Sequence, residues 1–192
     1  MGVMEEAERF EPRDPQEWSD WLARNHDTAR GVWLVTPRRS AGRATVDYET
    51  AVTEALRFGW VDSTTKVLDD ARGMMWFSPR KPTSGWAGTN KRRIERLVAE
   101  GRLEPAGERS VRVAQENGSW TLLDDVESLV VPSDLAIALD QLPGAHERWD
   151  AATPSARRMA LTRIVQAKRP ETRAKRVQAT AQNAAAGRPL AG

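Results

Sequence analysis

The sequence predicts an α+β fold: a small central antiparallel sheet or hairpin packed by helices, with an all-helical C-terminal third. Three observations carry this prediction. Trp60-Val-Asp-Ser-Thr-Thr-Lys-Val-Leu68 and Met74-Met-Trp-Phe-Ser78 are strand-like runs around the turn-rich Asp69-Asp-Ala-Arg-Gly73, which reads as a hairpin. Helix-start signals, with a capping residue or an early proline, recur at Asp14-Pro15, Pro105 and Thr153-Pro154. Beyond Gly118 the apolar residues are spaced for helices almost throughout.

A chain of 192 residues is most simply one domain. We expect it to span residues 14–187, with a mixed α+β core over 14–118, a helical part over 119–187, and flexible termini at 1–13 and 188–192. Charged residues make up 29% but the net charge is only +2, so the overall balance indicates no partner. Eight tryptophans against one tyrosine and three phenylalanines point to indoles as core builders. The absence of cysteine excludes disulfides, thiolate metal sites, cysteine-ligated clusters and a cysteine nucleophile. The first residues carry no apolar signal segment. No apolar run approaches the roughly 18 residues of a membrane span, so a cytoplasmic location is expected.

In order along the chain, Asp14 caps a helix that begins at Pro15, and Glu17 has capping-box spacing. Trp18, Trp21, Leu22 and Asn25 mark one face of that helix, which ends near His26. Gly31-Val-Trp-Leu-Val-Thr36 is a short strand. The basic loop Arg38–Arg43 is either a solvated turn or a phosphate contact. Asp47 caps a second helix, ended by Gly59. Strand period then places Trp60, Asp62, Thr64 and Lys66 on one face of the hairpin.

The stretch Phe77 to Leu97 is the most informative for function. Pro79 and Pro82 bracket Arg80 and Lys81, and each proline fixes a dihedral and removes a donor. Thr83, Ser84 and Gly85 lead into a helix that Trp86 opens or just precedes. Trp86, Asn90, Ile94 and Leu97 share its buried face, with Lys91, Arg92, Arg93 and Arg96 mostly around the outside. A hydroxyl-rich loop feeding a helix N-terminus suits an anion, and Arg80 adds formal charge. The structural alternative is that Ser84 caps, Trp86 packs in the core and Asn90 ties down the loop. Asp62 and Arg80 could meet as an ion pair, or Asp62 could face a cleft as a general base.

Pro105, Pro132, Pro143 and Thr153-Pro154 open successive helices, and Pro170 starts the last one. Basic residues crowd that end: Lys168, Arg169, Arg173, Lys175 and Arg176, against Glu171. They read as a solvated face, as partners of the acidic Asp124–Glu127 connection, or as phosphate contacts. The sequence has no P-loop, no dinucleotide fingerprint and no nucleic-acid-binding motif. His26 and His146 lack companion ligands, so no metal and no cofactor are expected.

Several segments resemble the bacterial YdeI/OmpD-associated, or bacteriocin-protection, family. They are Ala55-Leu-Arg-Phe-Gly-Trp-Val-Asp-Ser63, Phe77-Ser-Pro-Arg80, Ser84-Gly-Trp86 with Asn90, and Leu97-Val-Ala-Glu-Gly-Arg102, together with Gly31–Val35 and Ala167-Lys-Arg-Pro-Glu-Thr-Arg-Ala-Lys-Arg176. The resemblance runs from about Asp14 to about Thr180. The chain departs from the family pattern at Arg57, where cysteine is frequent, and at Gly85 and Ala87, where a polar residue and a serine are commoner. The resemblance implies a small α+β fold and a stress or antimicrobial-resistance role, and it brings no reaction with it.

The expected function is therefore binding of a small polar or anionic molecule. Arg80 would hold its charge, Ser84 and Asn90 would orient it, and Trp60 or Trp86 would wall the pocket beside Asp62. Two other readings use the same chain. In one, an enzyme moves a proton with Asp62 and stabilises charge with Arg80; in the other, the basic C-terminal helix contacts nucleic acid. The oligomeric state is not legible.

Overall fold

The computed structural model describes residues 4–38 and 46–191, so the expected basic loop Arg38–Arg43 lies, beyond its first residue, outside the described residues. The chain divides into two compact units. One comprises Met1–Ser84 with Thr89–Asn117, the other Gly85–Gly88 with Gly118–Gly192.

The first unit is α+β. Its elements are β1 (Arg9–Phe10), α1 (Pro15–Asn25), β2 (Val32–Pro37), α2 (Tyr48–Arg57), β3 (Trp60–Val67), β4 (Arg72–Pro79), α3 (Gly88–Ala99) and α4 (Pro105–Glu116). The strands form one four-stranded sheet in the order β1-β2-β4-β3. The pairs β2–β4 and β3–β4 are antiparallel, and β1 joins β2 in parallel. The helix starts follow the local chemistry of the sequence. The Asp14 carboxylate accepts from the Glu17 N–H at 2.9 Å and the Asp47 carboxylate from the Thr50 N–H at 2.7 Å, each satisfying a donor that the first turn leaves free.

The core of this unit is aromatic. Trp18 stacks on Trp21 at 5.6 Å and tilts against Phe77 at 5.3 Å, and Trp21 meets Trp60 edge-on at 5.7 Å. The indole N–H groups are also satisfied: Trp18 donates to the Ala51 carbonyl and Trp60 to the His26 carbonyl, both at 3.1 Å. Each buried polar tip thereby avoids its desolvation penalty.

Two expectations about this unit change. Residues before Asp14 do not simply trail as a polar arm. Arg9 and Phe10 pair with Trp33 and Leu34, and the Trp33 indole donates to the Met4 carbonyl at 2.8 Å. A two-residue strand carries no readable period, so only the tertiary partner reveals it. In β3, a bulge between Asp62 and Thr65 shifts the register. Asp62 stays on the face of Phe77, while Lys66 pairs with Met74 and lies over the Trp33 ring at 5.1 Å. The extra residue moves Lys66 to the opposite face from Asp62.

Arg57, the position noted above for its departure from a cysteine pattern, ties the helices of this unit together. Its guanidinium donates to the Arg102 carbonyl at 2.9 Å, Ser19 Oγ at 3.2 Å, Glu54 at 2.6 Å and Glu104 at 2.8 Å. Glu54, only 6% exposed, also pairs with Arg102. Helix α4 comes so close to the end of α2 that a Cβ on Gly107 would lie 2.4 Å from the Arg57 carbonyl oxygen, a spacing that only glycine permits.

The second unit is all helical: α5 (Asp124–Glu127), α6 (Ser133–Asp140), α7 (Ala145–Ala151), α8 (Pro154–Val165) and α9 (Pro170–Ala185). Leu135, Leu139, Trp149, Leu161, Ile164, Val177 and Ala181 form its core. The Thr153 hydroxyl accepts from the Ala156 N–H at 3.2 Å, capping α8. Arg173 of α9 forms a two-pronged pair with Asp134 of α6, its Nε at 2.7 Å. Asp134, rather than the Asp124–Glu127 turn, is thus the acidic partner of Arg173. Leu190, near the chain end, is 6% exposed and belongs to this core. Trp86 is also part of this unit, with its ring 4.9 Å from Trp120. No helix among the described residues is long and apolar enough to cross a membrane.

Candidate functional site

The candidate corner is built by α2, the start of β3, the end of β4 and α3 from Thr89 onward, all within the α+β unit. Gly59 ends α2 at a φ of 73°, and its carbonyl accepts from the Arg80 N–H at 3.0 Å. This bond anchors the start of the proline-bracketed loop beside the start of β3. Tyr48, the first residue of α2, donates its hydroxyl to Asp62 at 3.2 Å. Burial, then the Asp62 charge, raises the Tyr48 pKa, so the phenol keeps its proton and the contact is a fixed hydrogen bond.

Arg80 is half-buried. Burial pushes its pKa down to about 10, with the nearby Asp62 charge working the other way. Asp62 and Arg80 therefore lie within electrostatic reach of each other. Arg93 is the residue that sequence reasoning missed. Its side chain is only 12% exposed. Its guanidinium lies over the Tyr48 ring at 5.8 Å, bonds Asn90 Oδ1 at 2.7 Å and pairs with Glu49. Arg96 reaches Glu49 at 3.1 Å and Thr53 Oγ1 at 3.2 Å. The Arg93 hydrogen bond is the largest cause of the lowered Glu49 pKa. The spacing Asn90–Arg93–Arg96 at every third residue could have flagged this face, but Tyr48 and Glu49 bury it from another helix.

An open cleft at this corner is lined by Glu49, Thr89, Arg92, Arg93 and Arg96. Guanidiniums outnumber the carboxylate, so the cleft suits an oxyanion, for which arginine offers paired donors. Arg92 is exposed, and no described residue pairs with it.

The expected site residues divide as follows. Asp62, Arg80 and Asn90 belong to this corner or border it. Ser84 is half-buried and closes a turn, its N–H donating to the Lys81 carbonyl at 3.0 Å. It sits four residues before α3 begins, too early to cap that helix. Trp60 is 1% exposed and held in the aromatic core, so it offers no wall to a ligand. Trp86 is likewise 1% exposed and part of the helical unit. Neither histidine is in the corner: His26 caps α1, with Nδ1 3.0 Å from the Leu22 carbonyl, and His146 pairs with Asp140. Among the described residues no group of three or more histidines and carboxylates could hold a metal ion.

Comparison with known families divides the chain in a similar way. Residues 10–110 match the family described as a domain of unknown function, DUF8412. Residues 128–187 match the family described as bacteriocin-protection, YdeI or OmpD-associated. The corner around Arg80 thus falls in the first match and the basic C-terminal helix in the second. No curated protein and no solved structure matches the chain.

Proposed function

The chain belongs to the DUF8412 family and carries a bacteriocin-protection, YdeI or OmpD-associated domain, and on that premise we propose that its α+β unit binds a small oxyanion at the Arg80–Arg93 corner. The observation that carries the reading is the cleft lined by Arg92, Arg93 and Arg96 against the lone carboxylate of Glu49. Arg93 and Arg96 are held in place by Glu49 and give the cleft its shape. Arg92 supplies the charge that the fold does not use. Arg80, partly desolvated, adds field from the other end of the corner. The family description favours a stress or antimicrobial-resistance role for such binding, and a cytoplasmic protein would meet phosphorylated and carboxylated metabolites freely.

Binding leads over proton transfer because Asp62 is already engaged as an acceptor for Tyr48. The test is a thermal-shift titration of the full chain with inorganic phosphate, sulfate and small carboxylic acids at low salt, run beside Arg92→Ala. Stabilisation of the parent that falls at least about tenfold in affinity in Arg92→Ala supports the reading, the loss expected for one charge-assisted hydrogen bond. Equal stabilisation of both proteins, or none of either, removes it.

A further inference from the structure

The charge balance of the corner cleft narrows the class of oxyanion that suits it. The cleft is lined by Glu49 of α2 and by Thr89, Arg92, Arg93 and Arg96 of α3. Positions 89, 92, 93 and 96 are spaced by threes and fours, so they lie along one stripe of α3. Three guanidiniums against one carboxylate leave the lining with a net charge of +2. That balance holds across the working pH range. Arginine stays protonated, and the hydrogen bonds from Arg93 and Arg96 hold the Glu49 carboxyl below its ordinary pKa. Asp62 and Arg80, the opposite charges beside the cleft, offset one another. Glu95, on the same helix, does not line the cleft and pairs with no cation among the described residues.

The polar groups of the stripe differ in how far the fold engages them. Glu49 and Asn90 hold Arg93, and Glu49 and Thr53 hold Arg96. A single carboxylate is thus shared by two guanidiniums, which fixes both in place but balances the charge of only one. Arg92 and Thr89 are exposed, and no described residue hydrogen-bonds the Arg92 guanidinium or the Thr89 hydroxyl.

Resting on the reading of this cleft as an oxyanion site, we propose that its ligand is a phosphate monoester, the terminal phosphoryl group of a small metabolite, rather than a carboxylate or a phosphodiester. A phosphate monoester carries about −1.5 to −2 charge at pH 7 and three acceptor oxygens. That charge matches the lining, and the oxygens suffice for Arg92, Arg96 and Thr89 together. A carboxylate or a diester brings one charge and two free oxygens. It leaves one positive charge unbalanced and one donor without an acceptor. Arginine forks also suit the paired oxygens of a phosphoryl group. The cleft, about 320 Å³, has room for that group and the adjoining part of its carrier. The diester is the linkage of a nucleic-acid backbone, so the same preference sets this corner against nucleic acid.

The test is isothermal titration calorimetry of the full-length protein at low salt and pH 8, where a monoester is dianionic. The ligands are methyl phosphate against dimethyl phosphate, and sulfate against methanesulfonate, with acetate as the carboxylate. Each pair keeps a tetrahedral centre and differs by one charge. Methyl phosphate should bind at least about tenfold tighter than dimethyl phosphate and than acetate, and sulfate tighter than methanesulfonate by a similar factor, the size of one further charge-assisted hydrogen bond. Arg92→Gln takes one charge from the lining at an exposed position, and it should shrink both ratios rather than weaken every ligand alike. Equal affinity within either pair, acetate as tight as methyl phosphate, or ratios indifferent to Arg92→Gln would leave the oxyanion reading standing and overturn the monoester assignment. Binding of none of the five ligands would remove the oxyanion reading itself, and the assignment with it.

Discussion

Replacing Arg80 with methionine separates function from stability. Burial lowers the Arg80 pKa to about 10. A depression of that size corresponds to about 3 kcal/mol at the usual conversion of pKa to free energy. The guanidinium stays charged across the working pH range, so this figure is a burden on the folded state rather than a titration. Because the folded pKa lies below the unfolded one, the burden is present in full at pH 7. It would lift only as pH rises through about 10. Solvent at the half-buried side chain and the Asp62 charge both reduce it, leaving about 1–3 kcal/mol for Arg80→Met to release. Methionine fills the space of the arginine stem without a charge. Urea unfolding followed by tryptophan fluorescence should therefore find Arg80→Met as stable as the parent or up to about 3 kcal/mol more stable, equally at pH 6 and pH 9. If the proposed oxyanion binds in the cleft of Arg92, Arg93 and Arg96, losing the positive field of Arg80 should also weaken phosphate binding there without abolishing it. A variant more than about 1 kcal/mol less stable than the parent would refute the reasoning. It would mean that the contacts of Arg80 within the fold outweigh the cost of burying its charge.

Two other perturbations test the framework of each unit. Arg57→Leu should cost about 1–3 kcal/mol, because it takes from the buried Glu54 one of its two arginine partners and leaves Arg102 as the other; the double change Glu54→Leu with Arg57→Leu should recover part of that in the same urea assay. In the helical unit, the hydrogen bond from Arg173 holds the Asp134 pKa below its ordinary value. Its contribution is therefore present above the unfolded pKa of about 3.9 and lost as pH falls through the folded one. Asp134→Asn should lower thermal stability near neutral pH and flatten its decline in acid, as read by circular dichroism at 222 nm.

The elements that were legible in the sequence are those set by neighbours along the chain. Asp14 with Pro15, Asp47, and Thr153 with Pro154 each announce a helix because capping is decided within four residues. The hairpin was legible for the same reason. The parts that were not legible depend on distant partners. Arg93 looked like an outer-face charge, yet Glu49, 44 residues earlier in the chain, buries it. Trp60 and Trp86 looked like walls of a site because indoles serve in both roles; only packing against Trp21 and Trp120 decides between them. The bulge after Asp62 has no residue signature, and it alone moved Lys66 to the other face.

The same distinction sorts the charges of the molecule. Arg57, Arg93 and Arg173 are each consumed by a carboxylate from another element or turn, and their work is to hold helices together. Arg92 stands beside the consumed Arg93 on α3, and no described carboxylate reaches it. A fold that needed Arg92 only for solubility could place it anywhere on its surface. It instead lines a cleft whose other cations are already fixed in place. Fixed cations define the geometry and the uncommitted one completes the charge, which is the arrangement an incoming oxyanion requires. On this argument Arg93 is structural, and Arg92 beside it is the group that the proposed oxyanion would meet.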